Sequence, residues 1–536
     1  MKLLSFFLVA ALALVLRLYH INQHDLWFDE LISDAYSFKA ITIDASYYKT
    51  SAAVAFFNRI KKDPHSFFYY VLVYFYSFIF GGGKSLRIIS VVFSTLSLGI
   101  FYRLSRIFFN RTTSLTAIFL MVSSPLQIWY AQEARGYMMS MFFAMLMIYF
   151  YFQAVRKNTP SYWVSFSSSG TIALLSSYYS GLLLLVTGLN LFLEKNQKLI
   201  KRWLLSILPI FIVFVFALLI WVNHMKFVKN NFWLPPPSLK SLFFTFAIFN
   251  LGYSPEFAQL LGGCVLFSFL FLIGAGAQFN ENKRDAFCLL LFLILPVLSA
   301  YLISKFYLPV YIVRHLIILT PFYYLFVAKG ITSLRKKSLQ IVVALVLIFL
   351  TISSLINYYN GFILKSADGS DFYPGVHAKK DYMNLLNSVL KGVKEEYIIV
   401  TTDIQSFVIM QAYLKNYDFE KIVKLRFFFY PNLINKYDKK SLSIDYTEKE
   451  DEIYSLRYRQ GRLVSKLLGD KEDFVRRIKR LFLVFSAWNK EGKLTRNSQS
   501  IREVVTKDYR KVLSAEQDGI FIEFYSNAQE DLAQDK

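Results

Sequence analysis

The sequence predicts a polytopic α-helical membrane protein that carries a C-terminal extracytoplasmic α/β domain. Hydrophobic residues make up 55% of its 536 residues and the mean hydropathy is +0.38, which is well above the range of soluble domains. Apolar runs of roughly 15 to 22 residues, long enough to cross the hydrocarbon of a bilayer, recur from Leu3 to Ile356 and then stop. We therefore expect a membrane domain at 1–362 and a water-soluble domain at 363–536.

The apolar runs predict about eleven crossings. They lie near residues 3–18, 88–102, 113–129, 137–154, 161–177, 180–193, 203–222, 256–276, 286–303, 310–328 and 339–356. A further apolar segment, "HSFFYYVLVYFYSFIFGGG" at 65–83, is interpreted as an aromatic helix lying flat on the outer surface. With this segment flat, the basic clusters from Arg103 to Lys337 fall on one side, which the positive-inside rule makes cytoplasmic, with Lys226 and Lys229 as exceptions on the outer side.

An odd number of crossings that starts inside places residues 357–536 outside the cytoplasm. Four segments there have the β-branched and aromatic composition of strands: "EEYIIVTT", "KIVKLRFFF", "RLFLVFSAW" and "GIFIEFYS". Helical patterns alternate with them, namely "FVIMQAYLKN" and "IREVVTKDYRKVL". Alternating strands and helices predict an α/β domain.

Charge and cysteine content exclude several classes of protein. The net charge of +23 arises largely in short loops between spans, where basic residues set membrane orientation, so nucleic acid is not an expected partner. Cys264 and Cys288 both lie inside apolar runs and indicate neither a disulfide framework nor a zinc site. No internal repeat and no glycine-rich phosphate loop is present.

Carboxylates and cations are predicted to meet at the outer face. The first outer loop, "YHINQHDLWFDELISDAYS" at 19–37, places Asp29 and Glu30 beside aromatic residues directly after a span. The predicted topology brings this loop to the same face as His65 and as the turn "IWYAQEARGY", which contains Glu133 and Arg135.

In these motifs the chain resembles the bacterial branch of the GT-C fold glycosyltransferases, which includes protein mannosyltransferases and aminoarabinose transferases. The resemblance lies in "LWFDE" at 26–30, in 63–110, in "SPLQIWYAQEARGYMMSM" at 124–141 and in "PVYIVRHLIILTPFYYLFVAKGI" at 309–331. The chain departs from the usual pattern at Ser66 and Phe67, where relatives typically carry two prolines, and at His315, where an aromatic residue is usual. The resemblance implies a GT-C membrane domain and a sugar donor linked to a polyprenyl phosphate.

Such a donor determines which catalytic groups the site needs. Its phosphate leaves as an anion without a proton, so inverting transfer requires a base for the acceptor hydroxyl and cations for the phosphate, but no general acid. The resemblance points to Asp29 as this base, and the alternative is a merely solvated loop acid. Glu30 either orients the base or caps a helix. Glu133 matches the second acidic position of the superfamily, and its alternative is a simple ion pair with Arg135.

Three residues are candidates for binding the donor phosphate: His65, Arg135 and Arg314. Arginine offers a planar fork that matches phosphate oxygens, and histidine donates one or two hydrogen bonds. Arg314 lies in an apolar stretch, where a charge is costly unless it is paired or hydrated, so either a phosphate partner or snorkelling to the interface would explain it.

Aromatic residues complete the predicted site. Trp27, Tyr130 and Tyr137 are candidates for lining the substrate, although an interfacial aromatic belt is a common alternative role for such residues. No cofactor is required, and no metal ligands are assigned, since some GT-C relatives use a divalent metal and others do not. The expected partners are a polyprenyl-phosphate sugar, a lipid, glycan or protein acceptor and membrane lipids, and the expected location is the cytoplasmic membrane.

Two other classes of protein stay open. A polytopic transporter would place ionisable groups in broken helices near the midplane and often shows inverted repeats. A membrane-anchored binding protein for lipid-linked glycans would use the outer domain as its functional part, and Asp29 would then tolerate substitution.

Overall fold

The computed structural model describes residues 2–60, 67–231, 236–364 and 376, and in the C-terminal part 397–401, 409, 425–429, 440–445, 457–460, 480–486, 502, 506, 509–517 and 520–527. By proximity the chain forms two compact units. The first comprises Met1–Gln23, Ser33–Ser366 and Phe372–Val376, and the second comprises His24–Ile32, Ala367–Asp371 and His377–Lys536. Each unit is described by itself.

Helices dominate the N-terminal two thirds of the chain. They are α1 (Lys2–Leu18), α2 (Phe28–Asp34), α3 (Phe38–Tyr47), α4 (Ala52–Ile60), α5 (Phe68–Phe80), α6 (Arg87–Phe108), α7 (Arg111–Ser123), α8 (Pro125–Ala131), α9 (Tyr137–Lys157), α10 (Pro160–Ser176), α11 (Ser180–Glu194), α12 (Gln197–Asn231), α13 (Leu239–Leu251), α14 (Phe257–Glu281), α15 (Lys283–Phe306), α16 (Val313–Leu316), α17 (Thr320–Ser333) and α18 (Lys337–Tyr359). Short 3₁₀ turns at Gly83–Leu86 and Ile317–Leu319 precede α6 and α17.

Within the described residues, seven helices are long and apolar enough to cross a membrane, or eight if the bent pair α7–α8 is one span. Shorter apolar helices occur at Leu8–Leu18, Phe68–Phe80, Ser180–Glu194 and Leu239–Leu251. The protein is therefore a multi-pass membrane protein. Each of the eleven predicted segments coincides with a helix or a helix pair, whereas the number of actual crossings stays a prediction.

The aromatic segment after residue 66 forms a helix of 13 residues, α5, which is too short for a straight crossing. One side of α5 is buried, including Tyr69 and Tyr70. Phe75, Phe78 and Ile79 on the helix are exposed. This two-sided character agrees with the composition of an interfacial helix.

The predicted span at 113–129 is broken in two, because α7 and α8 meet at an angle of 56°. Pro125 is the first residue of α8, and a proline there has no amide hydrogen for the preceding turn and clashes with it, so α7 ends at Ser123. The Ser124 hydroxyl oxygen accepts a hydrogen bond from the backbone amide of Gln127 at 3.4 Å and so caps α8.

A buried arginine donates hydrogen bonds to the carbonyl groups at the end of α7. The guanidinium of Arg17 on α1 donates to the carbonyl oxygens of Val122 at 3.3 Å and Met121 at 3.5 Å, and to the Ser94 hydroxyl at 2.7 Å. The last carbonyls of a helix lack partners within it, and a cation there also interacts favourably with the helix dipole. Arg17 thus stabilises the break between α7 and α8.

The predicted span at 310–328 corresponds to one candidate span, Val313–Ser333, in which a 3₁₀ turn lies between α16 and α17. Pro321 is in the first turn of α17. Arg314 and His315 lie on α16, the first turn of this span.

Two glycines bring the backbones of α14 and α17 into contact. A Cβ atom at Gly274 would overlap the carbonyl oxygen of Phe326, and one at Gly330 would overlap that of Leu270. Helices in membranes associate through such small residues because these allow close van der Waals packing. Alanine at either position is excluded unless the helices separate.

Within the residues that the structure describes, the second unit contains a mixed sheet of seven strands. The strands are β1 (Tyr397–Thr401), β2 (Leu425–Phe429), β3 (Lys440–Asp445), β4 (Arg457–Gln460), β5 (Arg480–Ser486), β6 (Tyr509–Gln517) and β7 (Ile520–Asn527). Their order is β4-β3-β2-β1-β5-β7-β6, with β1 parallel to β2 and β5 and the other pairs antiparallel.

The four predicted strands coincide with β1, β2, β5 and β7. The helix predicted at 501–513 is wrong from Tyr509 onward, because β6 pairs with β7 in an antiparallel register interrupted by an irregularity between Lys511 and Leu513. Sheet pairing here overrides the local helical pattern. The other helical pattern, at 407–416, lies almost wholly outside the described residues, so the α/β class stays a prediction.

A buried carboxylate fixes the last two strands. Glu523 on β7 accepts hydrogen bonds from Arg502 at 2.6 Å and from the Tyr525 hydroxyl at 2.6 Å. Burial, reinforced by the bond to Glu523, raises the pKa of Tyr525 to about 12. A buried carboxylate needs such charged and hydrogen-bonding partners.

Candidate active site

The "LWFDE" motif belongs to the second compact unit and opens helix α2. Asp29 and Glu30 occupy its first turn, where unpaired amide groups and the helix dipole favour negative charge. The Glu30 carboxylate accepts a hydrogen bond from the Trp27 amide at 3.4 Å, which is the return contact of a helix cap. Both carboxylates are buried, and Trp27 is partly buried. Of the two roles considered for Glu30, this contact favours the cap.

In the first unit, the turn that follows α8 is held rigidly. The Ser90 hydroxyl contacts the carbonyl oxygens of Glu133 at 2.6 Å and Arg135 at 3.1 Å. The Gln132 amide nitrogen donates to the carbonyl oxygen of Tyr19 at 2.7 Å, and its oxygen accepts from the Tyr358 hydroxyl at 2.7 Å. The turn is therefore fixed to α1, α6 and α18.

Glu133 and Arg135 are both buried, at 1% and 3% exposure, so neither is a surface charge, and an ion pair between them stays an alternative. The Arg135 guanidinium donates to the Tyr70 hydroxyl at 3.2 Å and lies 3.5 Å from the Ser33 hydroxyl. Tyr70 in turn stacks on Tyr36 with ring centroids 3.8 Å apart. Arg135 thus connects the turn to Ser33 and to α5.

Tyr130 and Tyr253 join α8 to the turn that follows α13, with their hydroxyl oxygens 2.7 Å apart. Gly252 has φ +70, which permits this tight turn against the start of α8. Tyr137 packs edge-on against Tyr130 at 4.9 Å. Both Tyr130 and Tyr137 are buried within the protein rather than exposed in an interfacial belt.

Arg314 and Glu133 act on the same tyrosine. Burial raises the pKa of Tyr253 above its ordinary value, while the positive charge of Arg314 lowers it and the negative charge of Glu133 raises it further. A nearby charge shifts a pKa because it favours or disfavours the charged form of the group. The structure therefore gathers Glu133, Arg314 and Tyr253 into one buried polar cluster, together with Tyr130 and Tyr137.

His315 extends this cluster. Its ring stacks on Tyr179 with centroids 4.9 Å apart and meets the edge of Tyr137 at 5.6 Å. The Tyr179 hydroxyl donates to the carbonyl oxygen of Val310, which ties the turn between α10 and α11 to the segment before Arg314. Burial raises the pKa of Tyr179, and the charge of Arg314 opposes that shift.

The predicted site residues thus fall into three groups. Glu133, Arg314, Tyr130 and Tyr137 meet in the buried cluster, and Arg135 leaves the same turn toward Ser33 and α5. Trp27, Asp29 and Glu30 belong to the second unit, and His65 lies outside the described residues. Among the residues that the structure describes, no group of three or more histidine, cysteine, aspartate or glutamate side chains could hold a metal ion.

Sequence reasoning missed four contributors: Tyr70, Tyr179, Tyr253 and His315. Tyr179 and Tyr253 lie in "SSYYSG" and "NLGYSPE", short polar interruptions between apolar runs. Such an interruption marks a turn at a helix end, and this was the signal that could have identified them. Nothing in the local sequence distinguishes Tyr70 from its aromatic neighbours on α5.

The fold and the buried cluster together place the protein in a class, namely polytopic membrane proteins with a GT-C arrangement of helices. The chain is similar over 97% of its length to 97% of ArnT from Cupriavidus metallidurans bound to undecaprenyl phosphate, with a TM-score of 0.51 and 10% identity. It is also similar, over 99% of its length and 74% of the other chain, to the oligosaccharyltransferase AglB from Archaeoglobus fulgidus in complex with an inhibitory peptide and a dolichol-phosphate, with a TM-score of 0.46 and 12% identity.

Part of the sequence is similar to a family model. Residues 64–221 match the model of the dolichyl-phosphate-mannose-protein mannosyltransferase family. No curated protein shows significant similarity to the sequence. The resemblance to GT-C glycosyltransferases that the motifs indicated is thereby confirmed.

Proposed function

We propose that the protein is an inverting glycosyltransferase that moves a sugar from a polyprenyl-phosphate donor to an acceptor at the outer face of the cytoplasmic membrane. The family match over residues 64–221 is the observation that carries this proposal. The matched stretch contains the turn with Glu133 and Arg135, whose buried charges require a functional or structural explanation. ArnT, whose fold the chain shares, binds undecaprenyl phosphate, which supports a donor of this kind.

The donor phosphate is assigned to the cations Arg314 and Arg135, with His65 as a third contributor. Arg314 is about nine-tenths buried and lies beside phenol groups that are neutral at physiological pH. A departing phosphate provides the anionic partner that a buried guanidinium needs, and the bidentate fit of the fork holds it. Glu133, which also acts on Tyr253, keeps the net charge of the cluster low before the donor binds.

Asp29 is assigned as the base that accepts the proton of the acceptor hydroxyl. Glu30, its neighbour in the same helical turn, accepts a hydrogen bond from the Trp27 amide, which supports a structural task for Glu30.

The remaining predicted residues are assigned to the substrate. Glu133 orients the acceptor or balances the cations, while Trp27, Tyr130 and Tyr137 line the sugar and the first part of the prenyl chain. Aromatic rings suit both tasks because they offer apolar faces with few rotatable bonds. The exposed aromatic side of α5 suits a donor that enters sideways from the lipid.

The test is transfer of labelled sugar from purified polyprenyl-phosphate donors by protein in nanodiscs. Mass spectrometry of surface glycans and lipid-linked sugars, in cells with and without the gene, identifies the sugar and acceptor to supply. Loss of the gene should leave unmodified acceptor and accumulated donor. An unchanged glycan and lipid profile would contradict the proposed function.

A transporter is the second candidate, and the break between α7 and α8 favours it specifically. The pair α7–α8 is bent by 56°, and the buried Arg17 donates to the carbonyl oxygens of Val122 and Met121 at the end of α7. The binding sites of many transporters are likewise formed by discontinuous helices. A nanodisc has no separate compartments. Sugar transfer in nanodiscs therefore supports the enzyme, whereas movement of lipid-linked sugar across vesicles without transfer supports the transporter.

The proposed orientation predicts where the ends of the chain lie. A reporter enzyme that is active only outside the cytoplasm should be active when fused after Lys536 and silent when fused after Lys157, because the basic loops are predicted to stay inside. Fusion protein levels measured by immunoblot serve as the control. Equal activity at the two positions would contradict the eleven-span topology.

The second unit is proposed to help select the acceptor. Deleting residues 366–536 should therefore impair transfer to the acceptor more than binding of the donor, since the proposed phosphate ligands all lie outside the deleted segment. Donor binding to the truncated protein is measured in detergent, with size-exclusion chromatography as the control for folding. Loss of donor binding by a folded truncated protein would contradict this division of roles.

A further inference from the structure

One set of hydrogen bonds joins α8 to the 3₁₀ turn between α16 and α17. Glu133 and Arg135 follow α8, and Arg314 lies on α16, ahead of that turn. The helix pair α7–α8 is bent by 56°, so α7 alone does not fix the position of α8. Side-chain contacts between α8 and the 3₁₀ turn therefore contribute to the distance between the Glu133–Arg135 turn and Arg314.

The first contact joins Gln127 on α8 to Thr320 at the start of α17. The side-chain amide nitrogen of Gln127 donates to the Thr320 hydroxyl oxygen at 2.7 Å. The Thr320 hydroxyl itself donates to the carbonyl oxygen of Ile317 at 2.7 Å, inside the 3₁₀ turn that separates α16 from α17. One threonine hydroxyl thus bonds both to the 3₁₀ turn that links α16 to α17 and to the neighbouring helix.

The second contact joins Ser124, at the break between α7 and α8, to Tyr324 on α17. The two hydroxyl oxygens are 2.7 Å apart, and the Tyr324 hydroxyl donates to the carbonyl oxygen of Phe249 at 2.8 Å. Since the Tyr324 hydrogen is used there, Ser124 must be the donor to Tyr324. The Ser124 oxygen then accepts the hydrogen bond from the backbone amide of Gln127, near the start of α8.

All four side chains are buried: Ser124, Gln127, Thr320 and Tyr324. Buried polar groups bond to each other because water cannot replace a lost partner, and a fully connected network specifies one arrangement. The Gln127 amide oxygen has no hydrogen-bond partner within the described part of the chain. An unsatisfied acceptor is destabilising, so stability alone does not account for a glutamine at this position.

We infer that Gln127 and Thr320 are positioning residues, which set the spacing between the Glu133–Arg135 turn and Arg314 by joining α8 to the 3₁₀ turn at Ile317–Leu319. The inference rests on the proposed function for its catalytic consequence, and on geometry alone for the coupling of α8 to the 3₁₀ turn. The two residues act through α8 and through the 3₁₀ turn.

The test compares Thr320→Val with Thr320→Ser. Valine has the shape of threonine but lacks the hydroxyl, whereas serine keeps it. We expect Thr320→Val to lower turnover by roughly 10- to 100-fold with donor affinity within about threefold of the parent, because small misplacements cost rate rather than binding. Thr320→Ser is expected to restore most of the turnover. Equal loss in both variants, or parental turnover in folded Thr320→Val, would overturn the inference.

Tyr323→Phe is the matched control. The Tyr323 hydroxyl donates to the Asn250 side chain at 2.7 Å. The variant therefore also removes one buried hydrogen bond of α17, but not one between α8 and the start of α17. A Gln127→Leu and Thr320→Val double variant should be no slower than the slower single variant, since both changes break the same contact. Turnover losses that multiply would contradict a shared contact.

Amide hydrogen exchange separates this inference from the proposed function. Thr320→Val should raise exchange in both 125–136 and 313–320, while Tyr323→Phe should leave both at the parental level. Coupled exchange in a protein that transfers no sugar would retain the structural link and reject the glycosyltransferase proposal. A rise confined to 313–320 would reject the link even in an active enzyme.

Discussion

Asp29→Asn is expected to reduce sugar transfer by about 10²- to 10⁴-fold while leaving donor affinity within a few fold, because a general base contributes to the rate of the chemical step rather than to binding. Asparagine has nearly the same shape as aspartate but cannot accept the proton of the acceptor hydroxyl. The measurement is initial transfer rate in nanodiscs, with donor binding measured in parallel on the same preparation.

Glu30→Gln is the matched control for Asp29, since it makes the same chemical change at the next position of the same helical turn. A glutamine oxygen can still accept the Trp27 amide, so this variant should keep the cap and lose far less turnover. A folded Asp29→Asn protein that binds donor and turns over near the parental rate would remove the proposed base. A Glu30→Gln variant that is the slower of the two would reverse the assignment.

Arg314→Ala has the second largest expected effect, a loss of donor affinity of roughly 10- to 100-fold, because a hydrogen bond to a charged group is typically worth more than a neutral one. Turnover should fall as well, since the same cation stabilises the departing phosphate. Arg314→Lys keeps the charge but not the fork, so its donor affinity should lie between those of the parent and the alanine variant.

Arg284→Ala is the comparison for Arg314. Arg284 is an exposed arginine that pairs with Glu194, so its substitution removes one positive charge at a position away from the proposed site. Its donor affinity should match that of the parent within error. Equal weakening by both substitutions would indicate a general effect of net charge, and parental affinity in folded Arg314→Ala would remove it from the phosphate site.

The membrane architecture was readable because spanning length and apolar composition are properties of contiguous sequence. The break at Ser124 and the 3₁₀ turn at Ile317–Leu319 were not, because the apolar pattern continues across them. Pro125 and Pro321 were the local signals, but a proline near a helix start does not reveal whether the helix bends there. The pair α7–α8 bends by 56° at Pro125, whereas Val313–Ser333 is one candidate span.

The candidate site shows a similar division. Charged residues in ordered motifs identified Glu133 and Arg314, which the structure brings to one tyrosine. That tyrosine, Tyr253, lies more than a hundred residues from Tyr130, and nothing in either local sequence encodes their contact. Pairing between distant segments depends on how helices pack, and a single sequence carries little information about that.

The close contact of α14 and α17 makes these two helices a single mechanical element. Gly274 and Gly330 leave no side chain between the backbones that could rotate to absorb a displacement. A tilt of α17 must therefore carry α14 with it, and because α14 has 25 residues, the pair acts as a strut about 37 Å long. We expect a displacement of α14 to reach Thr320 at the start of α17. The stiffness of the bilayer is then expected to affect the alignment of α17 with α8.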